Sequence, residues 1–338
     1  MIKYLGSKRR FLERIVDVAR TELPEATSAL DLFSGSARVG HAFKGAGLRV
    51  LANDHNEYAR TLARCYVEAD DDLVPAATRL IADLQRTPAR AGWFTHTYCE
   101  QARFFHPKNG ARVEAIRERI DRLDLAPLLR DVALVSLMEA ADRVDSTVGV
   151  HMAYLKAWAP RAHNELELRV PKLLPRSPHG RSEAHGLDAE EAARTLAADV
   201  AYLDPPYNQH SYLRNYHVWE TLVRWDQPAT YGVAAKRVDC KTRASAFNLK
   251  RQASAALERV VDAVRARVLI VSFNDEGFLD RATIEDMLSR RGPVRVCAME
   301  ARRYVGARIG IYNPRGEKVG AVGKLKNHEL LYVVRCAS

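Results

Sequence analysis

The sequence predicts an α/β protein with a mostly parallel β-sheet, and three observations lead to this prediction. The segment SALDLFSGSARVGHAFKGAG (28–47) begins apolar, passes through a Gly/Ser-rich turn and continues with helical apolar spacing. A second apolar run, LRVLAND (48–54), is followed by an amphipathic segment (55–69), which completes a β-α-β-α unit. Further apolar runs of strand length occur at residues 199–204, 267–273, 294–299 and 329–335. Such alternation is typical of a parallel sheet with helices on its faces, where ligands bind at the carboxyl ends of the strands.

The C-terminal part of the sequence predicts that the sheet ends in antiparallel pairing. The last two apolar runs flank RRYVGARIGIYNPRGEKVG (302–320), which has the pattern of a strand followed by a hairpin turn at Asn313–Gly316. A tight turn of this kind joins antiparallel strands, so we expect the final strands to run in opposite directions.

Two segments are predicted to be insertions into this α/β unit. Residues 70–198 have mostly helical apolar spacing and become proline-rich and basic over residues 151–180. The main domain is therefore predicted to comprise residues 1–69 and 199–338. A second insertion, residues 208–250, mixes aromatic and cationic side chains, a combination that suits stacked bases and phosphates.

Composition excludes several classes of protein. With 47% hydrophobic and 28% charged residues, the 338-residue chain is predicted to be globular and not disordered or fibrous. It has no apolar run of the roughly 18–20 residues that span a bilayer, and its first residues lack an apolar signal core, so we expect a cytoplasmic protein. The five scattered cysteines indicate neither a disulfide framework nor a metal site. The net charge of +10 favours a polyanionic partner.

The loop DLFSGSARVG has the features of a ligand-binding turn. Gly35 lets the backbone approach a ligand closely, and the helix that follows offers unpaired amides. Ser36 stands where the dinucleotide fingerprint GxGxxG has its second glycine, which argues against nicotinamide or flavin binding. Asp54, at the end of the second strand, is placed to accept hydrogen bonds from the ribose of a nucleoside. The alternative role for Asp54 is a helix N-cap, and the order of the two strand ends favours the ribose role.

The tetrapeptide DPPY (204–207) follows a strand and is conformationally stiff. Its two prolines fix two φ angles and remove two backbone donors. The Asp204 carboxylate and the Pro205 carbonyl are then two acceptors in fixed relation, which suit the two hydrogens of an exocyclic amine, and Tyr207 offers a flat face for stacking. Accepting both N–H bonds withdraws the nitrogen lone pair from the ring and makes the nitrogen nucleophilic. The alternative is an edge strand that ends in a turn.

These residues resemble the amino-methyltransferases that use S-adenosylmethionine, and specifically the D12 class of DNA adenine-N6 methylases. The loop DLFSGSARVG is similar to the family's cofactor loop, Asp54 to its ribose acid and DPPY to its catalytic tetrapeptide. KYLGSK (3–8) resembles its leading motif, an aromatic residue and a lysine around a glycine turn. Similar stretches also occur at residues 139–158, 207–226 and 271–277 and at the C-terminal HELLYVV, so the resemblance covers nearly the whole chain.

The resemblance implies a Rossmann-like class I methyltransferase fold with seven strands, an antiparallel last strand and a target-recognition region within residues 70–198. It implies transfer of a methyl group from S-adenosylmethionine to N6 of an adenine flipped out of duplex DNA. The implied catalytic residues are Asp204, Pro205, Pro206 and Tyr207. The implied cofactor-binding residues are Tyr4, Lys8, Asp31, Phe33, Ser34, Gly35, Ser36, Asp54 and Asp204.

Polar and cationic residues of both insertions are the candidates for contacts with the DNA backbone. They are Asn109, Arg112, Arg214, Lys236, Arg237, Lys241 and Arg243. The helical spacing of NYHVWETLVRW assigns Trp219, Leu222 and Val223 to the core and not to base stacking.

Two other functions are compatible with these residues. The two acceptors of DPPY suit any exocyclic amine, so adenine in RNA and N4 of cytosine in DNA are alternative substrates. The second alternative is a non-catalytic nucleic-acid-binding protein with the same fold. Duplex DNA is the expected partner, a restriction endonuclease is a candidate partner, and we expect a monomer or a weak dimer. The recognition sequence is not readable, because it depends on a few groove contacts and on DNA deformation.

Overall fold

The computed structural model describes residues 1–152, 154–274, 277–302, 311–312, 318–320 and 326–337. Within these residues seven strands form one sheet: β1 (Ser28–Asp31), β2 (Arg49–Asn53), β3 (Glu183–His185), β4 (Val200–Leu203), β5 (Val268–Asn274), β6 (Val294–Arg302) and β7 (Lys326–Arg335). The α-helices are α1 (Leu12–Glu22), α2 (Arg38–Gly45), α3 (Glu57–Ala63), α4 (Val74–Gln85), α5 (Trp93–Thr95), α6 (Pro107–Arg122), α7 (Pro127–Arg143), α8 (Ala189–Thr195), α9 (Tyr212–Asn215), α10 (His217–Arg224), α11 (Lys250–Ala263) and α12 (Arg281–Ser289). Shorter 3₁₀ or π-helical segments are Arg64–Glu68, Asp71–Leu73, His96–Gln101, Pro160–His163, Val238–Lys241 and Ala246–Asn248.

The strand order across the sheet is β3-β2-β1-β4-β5-β7-β6. Strands β1 to β5 pair in parallel, whereas β7 lies between β5 and β6 and runs antiparallel to both. The predicted mostly parallel sheet with an antiparallel end is therefore confirmed. Since the chain leaves β1 toward β2 on one side and reaches β4 on the other, the order reverses between β1 and β4. Open α/β sheets bind ligands at such a reversal, at the carboxyl ends of the strands.

The central strands β1, β2, β4 and β5 are buried on both faces, as their continuous apolar runs predict. Alternate residues of β5 point to opposite faces, so Val268 and Ile270 join one hydrophobic cluster and Leu269 and Val271 the other. Helices α1, α2, α3 and α10 cover the first face, and α8, α11 and α12 cover the second. The core therefore consists of two apolar layers with the sheet between them.

Most of the inserted region packs against the first layer. Ile81 of α4, Ile116 of α6 and Leu134 of α7 belong to the same buried cluster as Phe43 of α2. These inserted helices thus extend one layer of the main fold.

The end of the inserted region differs from the prediction. Strand β3 pairs in parallel with β2, with Leu51 opposite Glu183, so the sheet resumes well before the predicted boundary at residue 198. The prediction was wrong here because Glu183–His185 is a three-residue edge strand of half-buried residues. Such a strand gives no apolar run for the sequence pattern to detect.

Two short antiparallel ladders lie outside the main sheet. One pairs Thr230–Tyr231 with Lys236–Arg237, and the other pairs Ile311–Tyr312 with Lys318–Gly320. The predicted turn at Asn313–Gly316 lies outside the described residues. Among the helices of the described ranges, none is both long and apolar enough to cross a membrane.

Candidate active site

A cavity of about 470 Å³ lies at the carboxyl ends of β1, β2 and β4, where the strand order reverses. Its wall includes residues 53–56 after β2, residues 187–190 after β3 and residues 243–248 of the second insertion. Every residue predicted to bind the cofactor lines it: Tyr4, Lys8, Asp31, Phe33, Ser34, Gly35, Ser36, Asp54 and Asp204. One cavity thus brings together predicted side chains from the N-terminal segment and from the carboxyl ends of β1, β2 and β4.

The loop after β1 is held by Asp31, which is buried. One Asp31 oxygen accepts hydrogen bonds from the Gly40 amide at 2.8 Å and the Ser34 hydroxyl at 3.1 Å. Burial raises the pKa of the Asp31 carboxyl to about 7, although both hydrogen bonds lower it. Gly35 has φ of +51°, and a Cβ there would lie 3.1 Å from the Tyr4 hydroxyl, so glycine is needed at this turn.

The same loop continues into α2 through Ala37, which has φ of +60° and ψ of 15°. A left-handed conformation at a residue other than glycine costs about 1 kcal/mol. Ala37 thus takes up a conformation in this loop that favours glycine.

Asp54 lies half-buried at the end of β2 and lines the cavity. One carboxylate oxygen accepts the Gly35 amide at 3.0 Å, and the other accepts the backbone and side-chain amides of Asn56 at 2.9 and 3.1 Å. Asp54 thus joins the loop after β1 to Asn56, the residue that precedes α3; the N-cap position itself is Asn56 and not Asp54. A carboxylate has about four acceptor positions, so acceptor capacity is left for a ligand in the cavity.

The DPPY tetrapeptide begins directly after β4. Asp204 and Pro206 line the cavity, whereas Pro205 is buried beneath it. Tyr207 is half-buried, its ring centroid lies 5.6 Å from that of Phe273, and its carbonyl accepts the Phe278 amide at 2.8 Å. The tetrapeptide therefore presents one carboxylate to the cavity from a segment fixed by its prolines and by packing.

Lys8 joins Asp204 to a second acid. Its ammonium lies 2.9 Å from Asp204 Oδ1 and 3.0 Å from Glu329 Oε1, and its side chain is 5% exposed. Burial alone lowers the pKa of Lys8, but the two carboxylates more than offset this effect, so the pKa lies well above its ordinary value. Burial raises the pKa of Asp204 to about 6, while Lys8 lowers it and Glu329 raises it. Lys8 is therefore a permanent cation between two acids.

The leading motif is anchored by stacked tyrosine rings. The Tyr4 ring is nearly parallel to those of Tyr212 and Tyr216, at centroid distances of 5.3 and 4.7 Å. The Tyr4 hydroxyl lies 3.2 Å from that of Tyr58, and the Leu5 amide donates to the Tyr216 hydroxyl at 2.5 Å. The segment that carries Lys8 is thereby fixed against α3, α9 and α10.

Sequence reasoning missed three residues of this site. Phe247 packs edge-on against Phe33 with the ring centroids 5.1 Å apart, and Asp188 follows β3 and caps α8; both line the cavity. Glu329 lies within β7, where only the apolar residues gave a signal. The mixed aromatic and basic composition of the second insertion was the one pattern that could have found Phe247.

Comparison with known proteins identifies the family of this chain. Residues 4–276 match the family model for the D12 class N6 adenine-specific DNA methyltransferase. The chain belongs to this family. The matched region contains the leading motif, the loop after β1, Asp54 and DPPY, and membership implies a methyl donor.

Curated relatives of this D12-class chain are methyltransferases. It is 28% identical over 327 residues to the Type II methyltransferase M.FokI of Planomicrobium okeanokoites and 27% identical over 315 residues to the Type II methyltransferase M.NlaIII of Neisseria lactamica. The modification methylase StsI of Streptococcus sanguinis is 26% identical over 324 residues. Each alignment covers 90% of the chain; it covers 92% of M.NlaIII but only 50% of M.FokI and 49% of StsI. The chain thus spans about half the length of two of these relatives.

Two of the predicted DNA-contacting residues of this D12 protein are engaged inside the inserted helices. Asn109 is 1% exposed, and its amide donates to two carbonyls of the turn at 162–164 at 2.9 and 3.0 Å. The Arg112 guanidinium donates to the carbonyls of Gln85 and Thr87 at the end of α4. The prediction of a phosphate contact is wrong for Asn109, which is enclosed by protein, whereas for half-buried Arg112 it stays a prediction.

Arg237 and Arg243 belong to a cluster of ion pairs in the second insertion. Arg237 is 2% exposed and pairs with Asp226 at 2.6 Å and with Asp239 at 3.1 Å. Arg243 pairs with buried Glu220 at 2.8 Å and with Asp239 at 3.4 Å. The prediction of a phosphate contact is wrong for Arg237, because protein encloses its side chain. The guanidinium of Arg243 forms ion pairs with both Glu220 and Asp239. We call this group, completed by Arg224, the insertion ion cluster.

The other three predicted DNA-contacting residues lie at the surface. Arg214 and Lys241 are exposed and Lys236 is half-buried. Arg214 donates to the Cys240 carbonyl at 3.1 Å, and the Lys241 ammonium lies 4.3 Å from the centroid of the Tyr231 ring. Nothing acidic in the described part of the chain forms an ion pair with these three cations, so they remain candidates for DNA contact.

Proposed function

We propose that this chain transfers a methyl group from S-adenosylmethionine to N6 of an adenine in duplex DNA. The observation that carries the proposal is the Asp204 carboxylate, which faces the same cavity as the loop after β1 and Asp54 and is fixed there by Lys8. An acid at this position can accept a hydrogen bond from the exocyclic amine of a base beside the cofactor.

The cavity residues fit S-adenosylmethionine. Asp54 keeps acceptor capacity for ribose hydroxyls, and the perpendicular rings of Phe33 and Phe247 offer an apolar edge for a base. Asp31, Asp54 and Asp204 place carboxyl groups on the wall, where they can face the cationic sulfur of the ligand. When bound, the cofactor supplies an electrophilic methyl group on a positively charged sulfur.

The chain's own contribution to the reaction is to position and polarise the amine. Lys8 occupies Oδ1 of Asp204, which leaves Oδ2 to accept one amine hydrogen. The proposed acceptor for the other hydrogen is the backbone carbonyl of Pro205, a residue whose side chain is buried outside the cavity wall. Both acceptors are held by a stiff segment, so little reorganisation is needed as positive charge develops on the nitrogen. Tyr207, whose ring centroid lies 5.7 Å from the Lys8 ammonium, is the aromatic residue of the tetrapeptide that we propose for stacking on a flipped base.

The second insertion has the charge distribution of a surface that binds a polyanion. Its three acids all take part in the insertion ion cluster with Arg224, Arg237 and Arg243. The remaining cations of residues 208–251 have no acidic partner among the described residues, and we call them the outward cations: Arg214, Lys236, Lys241, Lys250 and Arg251. Because all three acids of the insertion are paired within the insertion ion cluster, the outward cations give the insertion a local excess of positive charge. We propose that it binds DNA phosphates.

Removing outward cations should weaken the salt dependence of DNA binding. For Lys241→Ala combined with Lys250→Ala, we expect the slope of log K against log salt to fall by about 1–2, because each phosphate contact contributes about 0.9. The measurement is fluorescence anisotropy with a labelled duplex at several salt concentrations. The control is Arg14→Ala combined with Arg265→Ala, two exposed arginines outside both insertions. An equal loss of slope in the control would contradict the assigned surface.

The methyl-transfer proposal is tested with labelled cofactor. Duplex DNA and single-stranded RNA are each incubated with methyl-labelled S-adenosylmethionine, once with the chain and once without it, and nucleosides are analysed by mass spectrometry. We expect label only in DNA, as N6-methyladenine. Label in N4-methylcytosine or in RNA would replace the proposed substrate, and DNA binding without label would favour the non-catalytic alternative.

The relatives also bear on the expected partners. M.FokI and M.NlaIII are named Type II methyltransferases, a class that belongs to restriction-modification systems, so a cognate endonuclease is the proposed partner. An enzyme of this kind would act on DNA in the cytoplasm. We retain the inserted region after residue 70 as the proposed target-recognition region, now ending before β3.

A further inference from the structure

Glu329 is a buried acid next to the proposed reaction centre that the proposed reaction does not use directly. It lies on β7, opposite Asn274 of β5, and is 4% exposed. Its Oε1 accepts the Ser272 hydroxyl at 2.6 Å and the Lys8 ammonium at 3.0 Å. A buried carboxylate is costly unless it is paired and hydrogen-bonded, and among the described residues Glu329 meets both conditions through Lys8 and Ser272.

The charges around Lys8 do not balance. One ammonium lies between two carboxylates at 2.9 and 3.0 Å, so the group of Lys8, Asp204 and Glu329 has a net charge of −1 when both acids are ionised. If Lys8 were needed only to neutralise Asp204, a neutral residue at position 329 would suffice. Because Lys8 also pairs with the Glu329 carboxylate, it neutralises the Asp204 carboxylate only in part.

We propose that Glu329 is a positioning residue for methyl transfer: through Lys8 it fixes the Asp204 carboxylate and preserves its strength as a hydrogen-bond acceptor. The inference rests on the proposed function. Lys8 is held from one side by β7 and from the other by the end of β4, so it cannot move toward Asp204 without leaving Glu329 buried and unpaired. The net negative charge then favours the positive charge that develops on the amine nitrogen.

Among the other ionisable groups near Asp204, two tyrosines stay neutral in the relevant pH range, whereas Asp31, with a pKa of about 7, titrates within it. Tyr202 on β4 and Tyr212 on α9 both face Asp204, and burial raises the pKa of each well above its ordinary value. Asp31 on β1 is a more distant acid whose charge also acts on this region. Lys8 and Glu329 are therefore the charges that most directly set the protonation of Asp204.

The test is the pH profile of kcat for the full chain and for Glu329→Gln and Glu329→Asp. For the unchanged enzyme we expect kcat to fall as pH drops through about 6, because protonated Asp204 no longer accepts from the amine. Glu329→Gln removes a negative charge that raises the pKa of Asp204, so the acid limb of the profile should move to lower pH. The plateau value of kcat should fall about tenfold or more. Glu329→Asp keeps the charge and should retain the original limb.

Controls separate this proposal from a structural role and from the proposed function itself. Glu285→Gln, on the surface of α12, should leave the profile unchanged. If Glu329→Gln and Glu329→Asp lose the same activity without any movement of the limb, Glu329 is merely structural and the proposal fails. The proposal also fails if Glu329→Gln does not fold and Glu329→Asp shows a shifted limb. If the unchanged chain transfers no methyl group to DNA, it is the proposed function that fails.

Discussion

Replacing Asp204 by alanine is expected to reduce methyl transfer to duplex DNA by about 10²–10³-fold, with little change in cofactor or DNA binding. The change removes the acceptor that polarises the amine, and the loss of one positioned electrostatic group typically costs about 10²–10³ in kcat. The fold should survive, because Lys8 keeps Glu329 as a partner at 3.0 Å. The measurements are single-turnover transfer of labelled methyl groups and calorimetric binding of S-adenosylhomocysteine.

Two further variants serve as controls for the Asp204→Ala result. Asp204→Asn keeps the size of the side chain but turns one acceptor into a donor, so it should be as inactive as alanine. Asp286→Ala, an exposed acid of α12, should retain full activity. Transfer at more than about a tenth of the original rate in Asp204→Ala would remove Asp204 from the mechanism.

Replacing Arg237 by alanine is expected to destabilise the protein by about 2–4 kcal/mol. Breaking a buried ion pair by removing one partner costs about 3–5 kcal/mol, and the partial exposure of Asp226 and Asp239 reduces this figure. The lost guanidinium also leaves the Thr221 hydroxyl without its contact at 3.2 Å. The measurement is the free energy of unfolding from urea titration.

Neighbouring Lys236 is the matched control for this change. It lies on the same short ladder but has no acidic partner among the described residues, so Lys236→Ala should change the free energy of unfolding by less than about 0.5 kcal/mol. If Arg237→Ala left stability unchanged but lowered the salt dependence of DNA binding, the original assignment of Arg237 to a phosphate contact would be restored.

Sequence reasoning predicted the part of the site that depends on local pattern. Asp31, Asp54 and Asp204 each follow an apolar run, and parallel strands bring such ends to one edge of the sheet, so their convergence on one cavity could be anticipated. The stiffness of DPPY likewise depends only on its own residues.

The parts that sequence reasoning missed depend on contacts between distant segments. Glu329 lies in an apolar strand. The residues around it do not indicate that β7 inserts between β5 and β6 and so brings Glu329 to Lys8. Arg237 and Lys241 look alike in the sequence, yet only the first meets two acids in the folded chain. Whether a cation is available to DNA is therefore decided by tertiary pairing and not by composition.

The bridge from Lys8 to Glu329 also has a consequence for biosynthesis. Its two residues lie far apart along the chain, and β7 covers the edge of β5. A nascent chain still on the ribosome without β7 would have an uncovered strand edge and a lysine with only one counter-ion. The Lys8–Glu329 pairing and the covering of β5 thus have to wait until β7 has emerged and paired.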